Sequence, residues 1–550
     1  VPKNARTLVP EGKVVAMRGR RRGRGKPSDA AQLVKRFEAA AAGRDLWASY
    51  WRECYEFALP HRNLFSGQAA GAKKDGKVFD STAVEAVQSF ASELSQALIP
   101  PFRRWVRLVA GTDVPEEHRA EINLALDKET EVLFQYLDHS NLATESHEAL
   151  LDLAVGTGAL QVQDSGDDTN PLRFTAVPLA QLVVEEGPMG TVETVFREYS
   201  MPARNVQRTW PQARVSDALA SLIERNGDER VGLIEGTVYD PEGGYRYVVI
   251  EREGNHLAVD SFLDDSPWVI FRWMVVTGEK YGRGPLMSAL PDIKTANKVV
   301  ELVLRNAALA VSAPMLAVDD GILNAHSIRL RPGAIIPVLN PDSLRPLELG
   351  GNFDVSELVL NDLRQSIREK LYVQELPPLE GQPRTATELQ IRNQQLLRRI
   401  GSSFGRLQHE LVFSVIRGAL KILQRRGKMA PIKLDGREVD VEFRGQLAQV
   451  QDQQDVMVLE SFLQIVGALG PEVTAGTSRI EDIPEYVAGK LGVPQELVRS
   501  KAEREKIKQE MAQAAQQQQA EAAALSPPAT PAGTGPAILG AQPAIPGEGG

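Results

Sequence analysis

Apolar positions recur at helical spacing along most of this chain and switch to alternation in two stretches near its middle. After Ser28 or Asp29 as a cap, Leu33, Phe37, Trp47, Tyr50, Trp51, Cys54, Tyr55 and Ala58 predict a first helix, with Gly43 as the expected break and Pro60 as the end. Val84, Val87, Phe90, Ala91, Leu94 and Leu98 predict a second helix over 82–98, stopped by Pro100-Pro101. Two more are expected over 115–140 and 145–155, before Gly156-Thr157-Gly158 turns the chain into extended structure. From Ala159 to Tyr199 and again from Gly232 to Thr277, β-branched and aromatic residues alternate with polar ones. Pro241-Glu242-Gly243-Gly244 and Glu253-Gly254-Asn255 fall where hairpin turns belong, so the second stretch predicts an antiparallel meander.

The second half is dominated by longer helices. Ile293, Ala296, Val300, Val303, Leu304, Ala307 and Val311 form one apolar face of a helix expected to open at Pro291, a residue suited to a first helical turn. Glu301 and Arg305 are spaced for an ion pair on its other side. Pro314 ends that helix, and a proline-rich segment with the Asp319-Asp320-Gly321 turn reads as short strands and loops. Ser356 caps a further helix with the stripe Leu360, Leu363, Ile367 and Leu371. After an irregular loop, Thr385-Ala386-Thr387-Glu388 is a capping box that starts a helix running to the basic turn and glycine stop at Arg425-Arg426-Gly427. Such a helix, with about 40 residues at 1.5 Å each, spans about 60 Å. That length suits a wall or a shaft better than a catalytic pocket.

Composition narrows the picture. A chain of 550 residues with 43% hydrophobic and 25% charged residues can bury several cores. Its single cysteine, Cys54, has Tyr50, Trp51 and Ala58 on the same helical face, so a buried core thiol is expected, with no intrachain disulfide and no cysteine-based metal site. No apolar run reaches the length of a membrane span, and the basic N-terminal stretch has no apolar segment behind it. Synthesis in the cytosol is expected. Lys13, Arg18, Arg20, Arg21, Arg22, Arg24 and Lys26, interleaved with glycines and without an acidic residue, predict a flexible basic arm over 1–27. At the other end, 512–550 is rich in Ala, Gln, Pro and Gly without an aromatic residue, and reads as a disordered tail.

Short motifs that suggest enzymes fail on inspection. Gly71-Ala72-Lys73-Lys74-Asp75-Gly76-Lys77-Val78 follows the phosphate-loop pattern until Val78 replaces the magnesium-binding Ser or Thr, and no strand precedes it. Gly401-Ser402-Ser403-Phe404-Gly405 has the nucleophile-elbow spacing but sits inside a helical pattern. Gly156-Thr157-Gly158 lacks the third glycine of a dinucleotide fingerprint and follows a helix. The histidines at 61, 118, 139, 147, 256, 326 and 409 show no zinc spacing, and Leu151 stands where a second ligand after His147-Glu148 belongs. Neither a catalytic set, a metal nor a cofactor is expected.

Several longer strings carry a resemblance. Trp51-Arg52-Glu53-Cys54-Tyr55-Glu56-Phe57-Ala58-Leu59-Pro60-His61-Arg62-Asn63, Phe79-Asp80-Ser81-Thr82-Ala83, Tyr281-Gly282-Arg283-Gly284-Pro285 with Leu290-Pro291-Asp292-Ile293-Lys294-Thr295, and Arg384-Thr385-Ala386-Thr387-Glu388 appear in that order. Over about 30–430 the chain resembles the head-to-tail connecting (portal) proteins of short-tailed, podovirus-type bacteriophages. The resemblance implies a mainly α fold with an α+β wing, assembling as a ring, commonly of twelve copies, at one capsid vertex of the virion. Its implied parts are a wing over 28–285, a stem helix over 286–313, a clip over 314–355, a second stem helix over 356–373, a tunnel loop over 374–384, a long wing helix over 385–427 and C-terminal wing and crown helices over 428–511. It also implies double-stranded DNA as non-specific cargo, with the terminase large subunit, a tail adaptor, the major capsid and scaffolding proteins and internal core proteins as partners, and no membrane.

A conduit explains why no catalytic set is expected. Many Lys and Arg contacts to phosphate would release counterions and hold the DNA, whereas translocation needs weak contacts. In the implied tunnel loop Gln374, Glu375, Glu380, Gln382 and Arg384 sum to a net charge of about −1, from two glutamates and one arginine. The expectation is that this loop faces DNA without reading bases, while Asp319, Asp320, Arg329 and Arg331 of the clip meet the motor and then the tail. Two other readings stand beside it. One is a nucleotide-driven DNA-translocating enzyme, which the broken phosphate loop disfavours. The other is a nucleic-acid-binding assembly scaffold, for which deleting 1–27 would abolish assembly.

Overall fold

The computed structural model describes residues 27–67, 71–241, 243–311, 315–317, 344–346, 353–373, 401, 403–432, 436–468, 470, 479–480, 482–491, 493, 499 and 501–524. The chain divides into two compact units, 1–454 and 455–550.

In the first unit α1 (Pro27–Ala58) is continuous, and Gly43 does not break it. A mid-helix glycine costs about 1 kcal/mol relative to alanine. Packing on either side of Gly43 outweighs that cost, because the two halves of α1 serve two different cores. Leu33, Val34, Phe37 and Ala40 pack with Val183, Phe196, Ile234, Val248 and Ile250 of a sheet, while Trp51, Cys54, Tyr55 and Ala58 enter the main core. Helices α2 (Thr82–Leu98), α3 (Glu116–Asp138) and α4 (Leu142–Leu153) follow close to the expected spans, with β1 (Val106–Ala110) between α2 and α3.

The β region forms two antiparallel sheets. β2 (Thr157–Asp164), β3 (Leu172–Ala176) and β9 (Trp268–Arg272) make a three-stranded sheet in the order β3-β2-β9. β4 (Leu182–Glu186), β5 (Val192–Pro202), β6 (Arg230–Tyr239), β7 (Tyr245–Glu251) and β8 (His256–Leu263) make a five-stranded meander in chain order. Gly243 and Gly244 have φ of +109° and +91°, and Gly254 and Asn255 of +77° and +49°, so both expected hairpin turns use the left-handed backbone those residues tolerate. Alternation sends Ile234, Val248 and Ile250 to α1 and Leu233, Val249 and Val259 to the opposite face. That opposite face is covered by α5 (Ala203–Thr209) and α6 (Asp217–Asn226), two short helices the sequence reading did not anticipate, through Val206, Trp210 and Leu219. Buried polar bonds tie the two sheets together: Gln161 to Glu235, and Trp268 Nε1 to Thr237 Oγ1 at 2.9 Å.

α7 (Pro285–Val311) starts earlier than expected, and Pro291 lies inside it. Proline at 291 leaves the Met287 carbonyl without its helical N–H donor. The Tyr50 hydroxyl donates to that carbonyl at 2.7 Å, so the helix passes the proline without an orphaned acceptor. Strands β10 (Met315–Ala317) and β11 (Leu344–Pro346) pair antiparallel, and α8 (Phe353–Lys370) starts ahead of Ser356. The expected long helix is described from residue 401, apart from Ser402, as helix that widens into a π turn at Gln408–Phe413 and ends with Ser414–Arg425. Gly427 has φ of +67°, its N–H reaches the Gln424 carbonyl, and Lys428 N–H reaches the Leu423 carbonyl, which is the glycine stop the sequence predicts. β12 (Val439–Phe443) returns to pair with β1, a long-range pairing no local pattern announces.

The second unit contains helices Ile483–Leu491 and Lys501–Ala524, with Lys490 and Asp455 paired at 2.8 Å. The segment read as disordered from 512 is thus helical through Ala524. Unbroken Ala, Gln and Glu have strong intrinsic helix preference and the prolines begin only at Pro527, so a composition rule misjudged this stretch.

Candidate channel-forming helix pair

The described strings that carry the resemblance, within 51–63, 79–83 and 281–295, converge on the root of α7 and α8. Around Gly156-Thr157-Gly158 and Tyr281-Gly282-Arg283-Gly284-Pro285 the two backbones touch. A Cβ on Gly156 would lie 2.0 Å from the Gly282 carbonyl oxygen, and one on Gly284 would lie 2.1 Å from that of Ala154. Only glycine permits this approach. It allows Gly282 N–H to reach Thr157 Oγ1 at 2.9 Å, Gly284 N–H to reach the Val155 carbonyl at 3.0 Å and Trp273 N–H to reach the Gly156 carbonyl at 2.9 Å. Gly156, weighed above as a fragment of a dinucleotide fingerprint, therefore joins Gly282 and Gly284 in welding the first turn of α7 to the three-stranded sheet.

Tyr281 is buried beside this weld, with its ring 5.0 Å from that of Trp51 and its hydroxyl accepting from Val184 N–H at 3.2 Å. Burial pushes its pKa up to about 12, so the hydroxyl stays protonated. Arg272, also buried, binds Glu186 at 2.6 Å and Glu410 of the π turn at 3.0 Å, and its own amide N–H gives Glu410 a second bond at 2.8 Å. The widened turn places Glu410 where it can take both.

A second polar cluster pins α7 and α8 to the start of α2. Asn297 Oδ1 accepts from the amides of Phe79 at 2.6 Å and Asp80 at 3.2 Å, while its amide donates to the Lys77 carbonyl at 2.9 Å. Asp80 accepts from Thr82 N–H at 3.0 Å and from Arg364 of α8 at 2.9 and 2.8 Å. Burial opposes the charged form of Asp80, yet the bonds from Thr82 and Arg364 outweigh it and hold its pKa below the usual carboxylate range. Asp292 accepts from Ser366 at 2.7 Å and Lys370 at 2.5 Å, and those bonds likewise overcome burial to lower its pKa. Another buried carboxylate, Asp152, accepts from the Tyr55 hydroxyl at 2.6 Å and from Arg62 at 2.8 Å. The roles of Asn297 and Arg364 escaped sequence reading. Their signal was a polar residue within or beside an apolar stripe.

α8 ends in the left-handed region. Tyr372 has φ of +62°, its N–H reaches the Glu369 carbonyl, and Val373 N–H reaches the Arg368 carbonyl at 2.9 Å. A tyrosine normally avoids this conformation. Its ring lies 5.4 Å from that of Trp273 and 6.4 Å from that of Phe90, which hold it there. Val373 is the last described residue before the expected tunnel loop. Gln374, Glu375, Glu380, Gln382 and Arg384, the clip residues Asp319, Asp320, Arg329 and Arg331, the capping box at Thr385 and the arm over 1–26 all lie outside the described residues.

Gly71–Val78 forms turns and irregular chain, with no strand before it among the described residues, and Lys74 Nζ donates to the Asn63 carbonyl at 2.9 Å. Ser403 and Phe404 are helical. Cys54 is fully buried, and burial, with Glu53 nearby, pushes its thiol up to about 12. Among the described residues no group of three or more His, Cys, Asp or Glu is arranged to hold a metal ion, and no helix is long and apolar enough to cross a membrane.

The sequence profile of the bacteriophage head to tail connecting protein family matches residues 30–498, most of the chain. The chain belongs to that family. Its relatives include the probable portal protein of Bordetella phage BPP-1, 24% identical over 473 residues that cover 80% of this chain and 84% of the relative. The portal protein of Salmonella phage epsilon15 is 24% identical over 468 residues, with 80% and 82% covered. That of Escherichia phage T7 is 20% identical over 462 residues, with 81% and 84% covered. A looser likeness, with a TM-score of 0.33 at 13% identity over 74% of this chain and 90% of the other, is to a solved structure described as the neck of a native gene transfer agent particle computed with C12 symmetry. The family match thus spans the two β-sheets and the paired helices α7 and α8 of this chain.

Proposed function

We propose that this chain is the subunit of a portal: a closed ring, of twelve copies, at one vertex of a phage capsid. The ring passes double-stranded DNA inward during packaging and outward at ejection. The observation that carries the reading is the family match over 30–498, which spans the welded helix root as well as the wing. A helix pair fixed at one end by Asp80, Asp292, Asn297 and the glycine weld has the rigidity a channel wall needs. In this reading α7 and α8 are the stem, 314–355 is the clip that meets the terminase and later the tail adaptor, and 374–384 is the tunnel loop facing the DNA. Glu375 and Glu380 keep that loop from holding phosphate, and Arg384 limits the repulsion.

The chain acts as a conduit and docking platform, with chemical work left to a separate motor. Val78 at the end of the phosphate-loop-like string, and the irregular chain before it, weigh against a built-in nucleotide site. Negative-stain images of the purified chain, together with its mass and its DNA-stimulated ATP hydrolysis, test the reading. Annuli without hydrolysis are expected. Single globules, or a monomer that hydrolyses ATP, would overturn it.

A further inference from the structure

Side chains answer the outer edges of the two larger sheets, except along half of one strand. At β3, Asn141 takes the Phe174 amide at 2.9 Å and donates to its carbonyl at 2.8 Å, while Glu145 accepts the Ala176 amide at 2.7 Å. Glu410 takes the Arg272 amide of β9, and the Tyr281 hydroxyl takes the Val184 amide of β4. The fourth edge is β8. Its start is covered too, because Arg214 N–H reaches the Ala258 carbonyl at 2.8 Å and His256 Nε2 lies 2.7 Å from the Arg214 carbonyl. Its second half is different. Asp240 N–H reaches the Gly244 carbonyl at 3.1 Å, which fixes the alternation: Arg246 and Val248 turn their peptide groups to β6, and Tyr245 and Tyr247 turn theirs to β8. Leu263 and Ser261 answer that pair, so the peptide groups of Asp260 and Phe262 point outward, and no described residue bonds to them. Such an open edge is a template for another strand.

The chain's own N-terminal segment joins the fold beside that edge. α1 opens at Pro27, and Asp29 in its first turn lies 3.7 Å from Arg246, which holds Asp260 of β8 at 2.8 Å. Two carboxylates thus share one guanidinium, and Asp264 follows just past the strand. Phe262 stands opposite Arg246 in the register and is 43% exposed. Residues 1–26 lie outside the described residues, and from Lys13 to Lys26 they carry seven cations and no acid. Lys13-Val14-Val15-Ala16-Met17 has the β-branched residues of a strand, with neither glycine nor proline. Alternation would place Lys13, Val15 and Met17 on one face, which pairs two apolar side chains with an exposed ring and a cation with carboxylates. The nine residues from Arg18 to Lys26 span up to about 30 Å when extended, enough to return from Pro27 to any point on the open half of β8.

We propose that residues 13–17 of each chain add as a sixth strand along Asp260 to Leu263 of the same chain, with Val15 and Met17 over Phe262 and the cations facing Asp260 and Asp264. The basic segment is then seated on its own sheet, and the edge is closed to strands of other chains. Hydrogen exchange of the full-length chain tests this. Amides of 13–17 should exchange about tenfold or more slowly than in a free peptide of the same sequence. Val14→Asp with Val15→Asp, a change outside the described fold, should speed exchange at Asp260 and Phe262 by about tenfold or more and leave β5 and β6 as they were. Free-peptide rates at 13–17 would overturn the proposal, as would exchange at Asp260 and Phe262 that ignores the double variant. Carbodiimide coupling in a mixture of isotopically light and heavy chains identifies the owner of the added strand. Lys13 joined to Asp260 or Asp264 within chains of one isotope is expected; joins between light and heavy chains would give the edge to a second copy and overturn the seat in the same chain.

Discussion

The two ends of the α7–α8 pair are built by opposite rules. At the root, Ile293, Ala296, Leu360, Ile367 and Leu371 are buried, and the carboxylates of Asp80 and Asp292 have cationic partners within the same chain. Farther out, Leu302, Leu304, Leu358 and Val359 are 47%, 53%, 68% and 42% exposed. One chain completes the root by itself and leaves large side chains uncovered beyond it. The lesson is that burial is unevenly spread along one element: the root keeps the pair's direction, and in the proposed ring the outer half would be the part that offers apolar surface to neighbouring copies.

The largest expected effect is at the weld. Gly156→Val or Gly282→Val drives side-chain atoms into a carbonyl 2.0 or 2.3 Å from the first added atom, in a backbone-to-backbone contact that has no rotamer to yield. A loss of about 4 kcal/mol or more, among the severe values for single substitutions, is expected in denaturant unfolding. Gly43→Ala is the control. Nothing lies within 4 Å of its would-be Cβ, so it should leave stability unchanged or raise it by up to about 1 kcal/mol. A mild Gly156→Val variant would show that the root is not fixed by this contact.

Next comes the Asp80 clasp. Arg364→Ala leaves a buried carboxylate with Thr82 alone and should cost about 2–3 kcal/mol at neutral pH. The sign with pH follows from the lowered pKa of Asp80 in the folded chain. Its stabilising contribution is full above the ordinary carboxylate range, about pH 4, and fades as pH falls through the lowered folded value. The gap between wild type and Arg364→Ala should therefore narrow below about pH 4. A gap that widens on acidification would mean that the arginine acts through packing and not through the carboxylate.

A smaller loss, about 1 kcal/mol, is expected from Tyr50→Phe, which removes the donor that replaces the absent amide of Pro291 at the Met287 carbonyl. Restoring the amide with Pro291→Ala in the same chain should recover most of it. Failure of that rescue would show that the hydroxyl matters for another reason.

Much of this arrangement was legible in the residues. The stripe Leu360, Leu363, Ile367, Leu371 placed α8, and Gly254-Asn255 placed a hairpin, because local spacing alone determines both. Helix starts were less legible: Pro291 suggested a first turn, and only the distant Tyr50 hydroxyl explains how the helix begins at Pro285. The pairing of Val106–Ala110 with Val439–Phe443 and the Glu410–Arg272 bridge join residues far apart in the chain, which periodicity does not encode. The glycine pairs were visible but ambiguous. Gly156 with Gly158 looks like part of a dinucleotide-binding string, and Gly282 with Gly284 has no evident task, until the two segments are seen filling each other's missing side-chain space.

The smallest expected effect on stability is at the outer half of the pair. Leu358→Ser removes a side chain that is 68% exposed in the single chain, so unfolding of monomeric protein should change by no more than about 0.5 kcal/mol. Leu304→Ser, at 53% exposure, should behave alike. If uncovered leucines on these helices meet neighbouring copies, the double variant should still shift the concentration at which annuli form by tenfold or more, because each buried leucine contributes about 1.5–3 kcal/mol relative to an exposed one. Light scattering against protein concentration reads that shift directly. Unchanged assembly with unchanged stability would break the division between a self-sufficient root and an outer half that needs partners; a large loss of monomer stability would break it from the other side, by showing that these leucines already support the single chain.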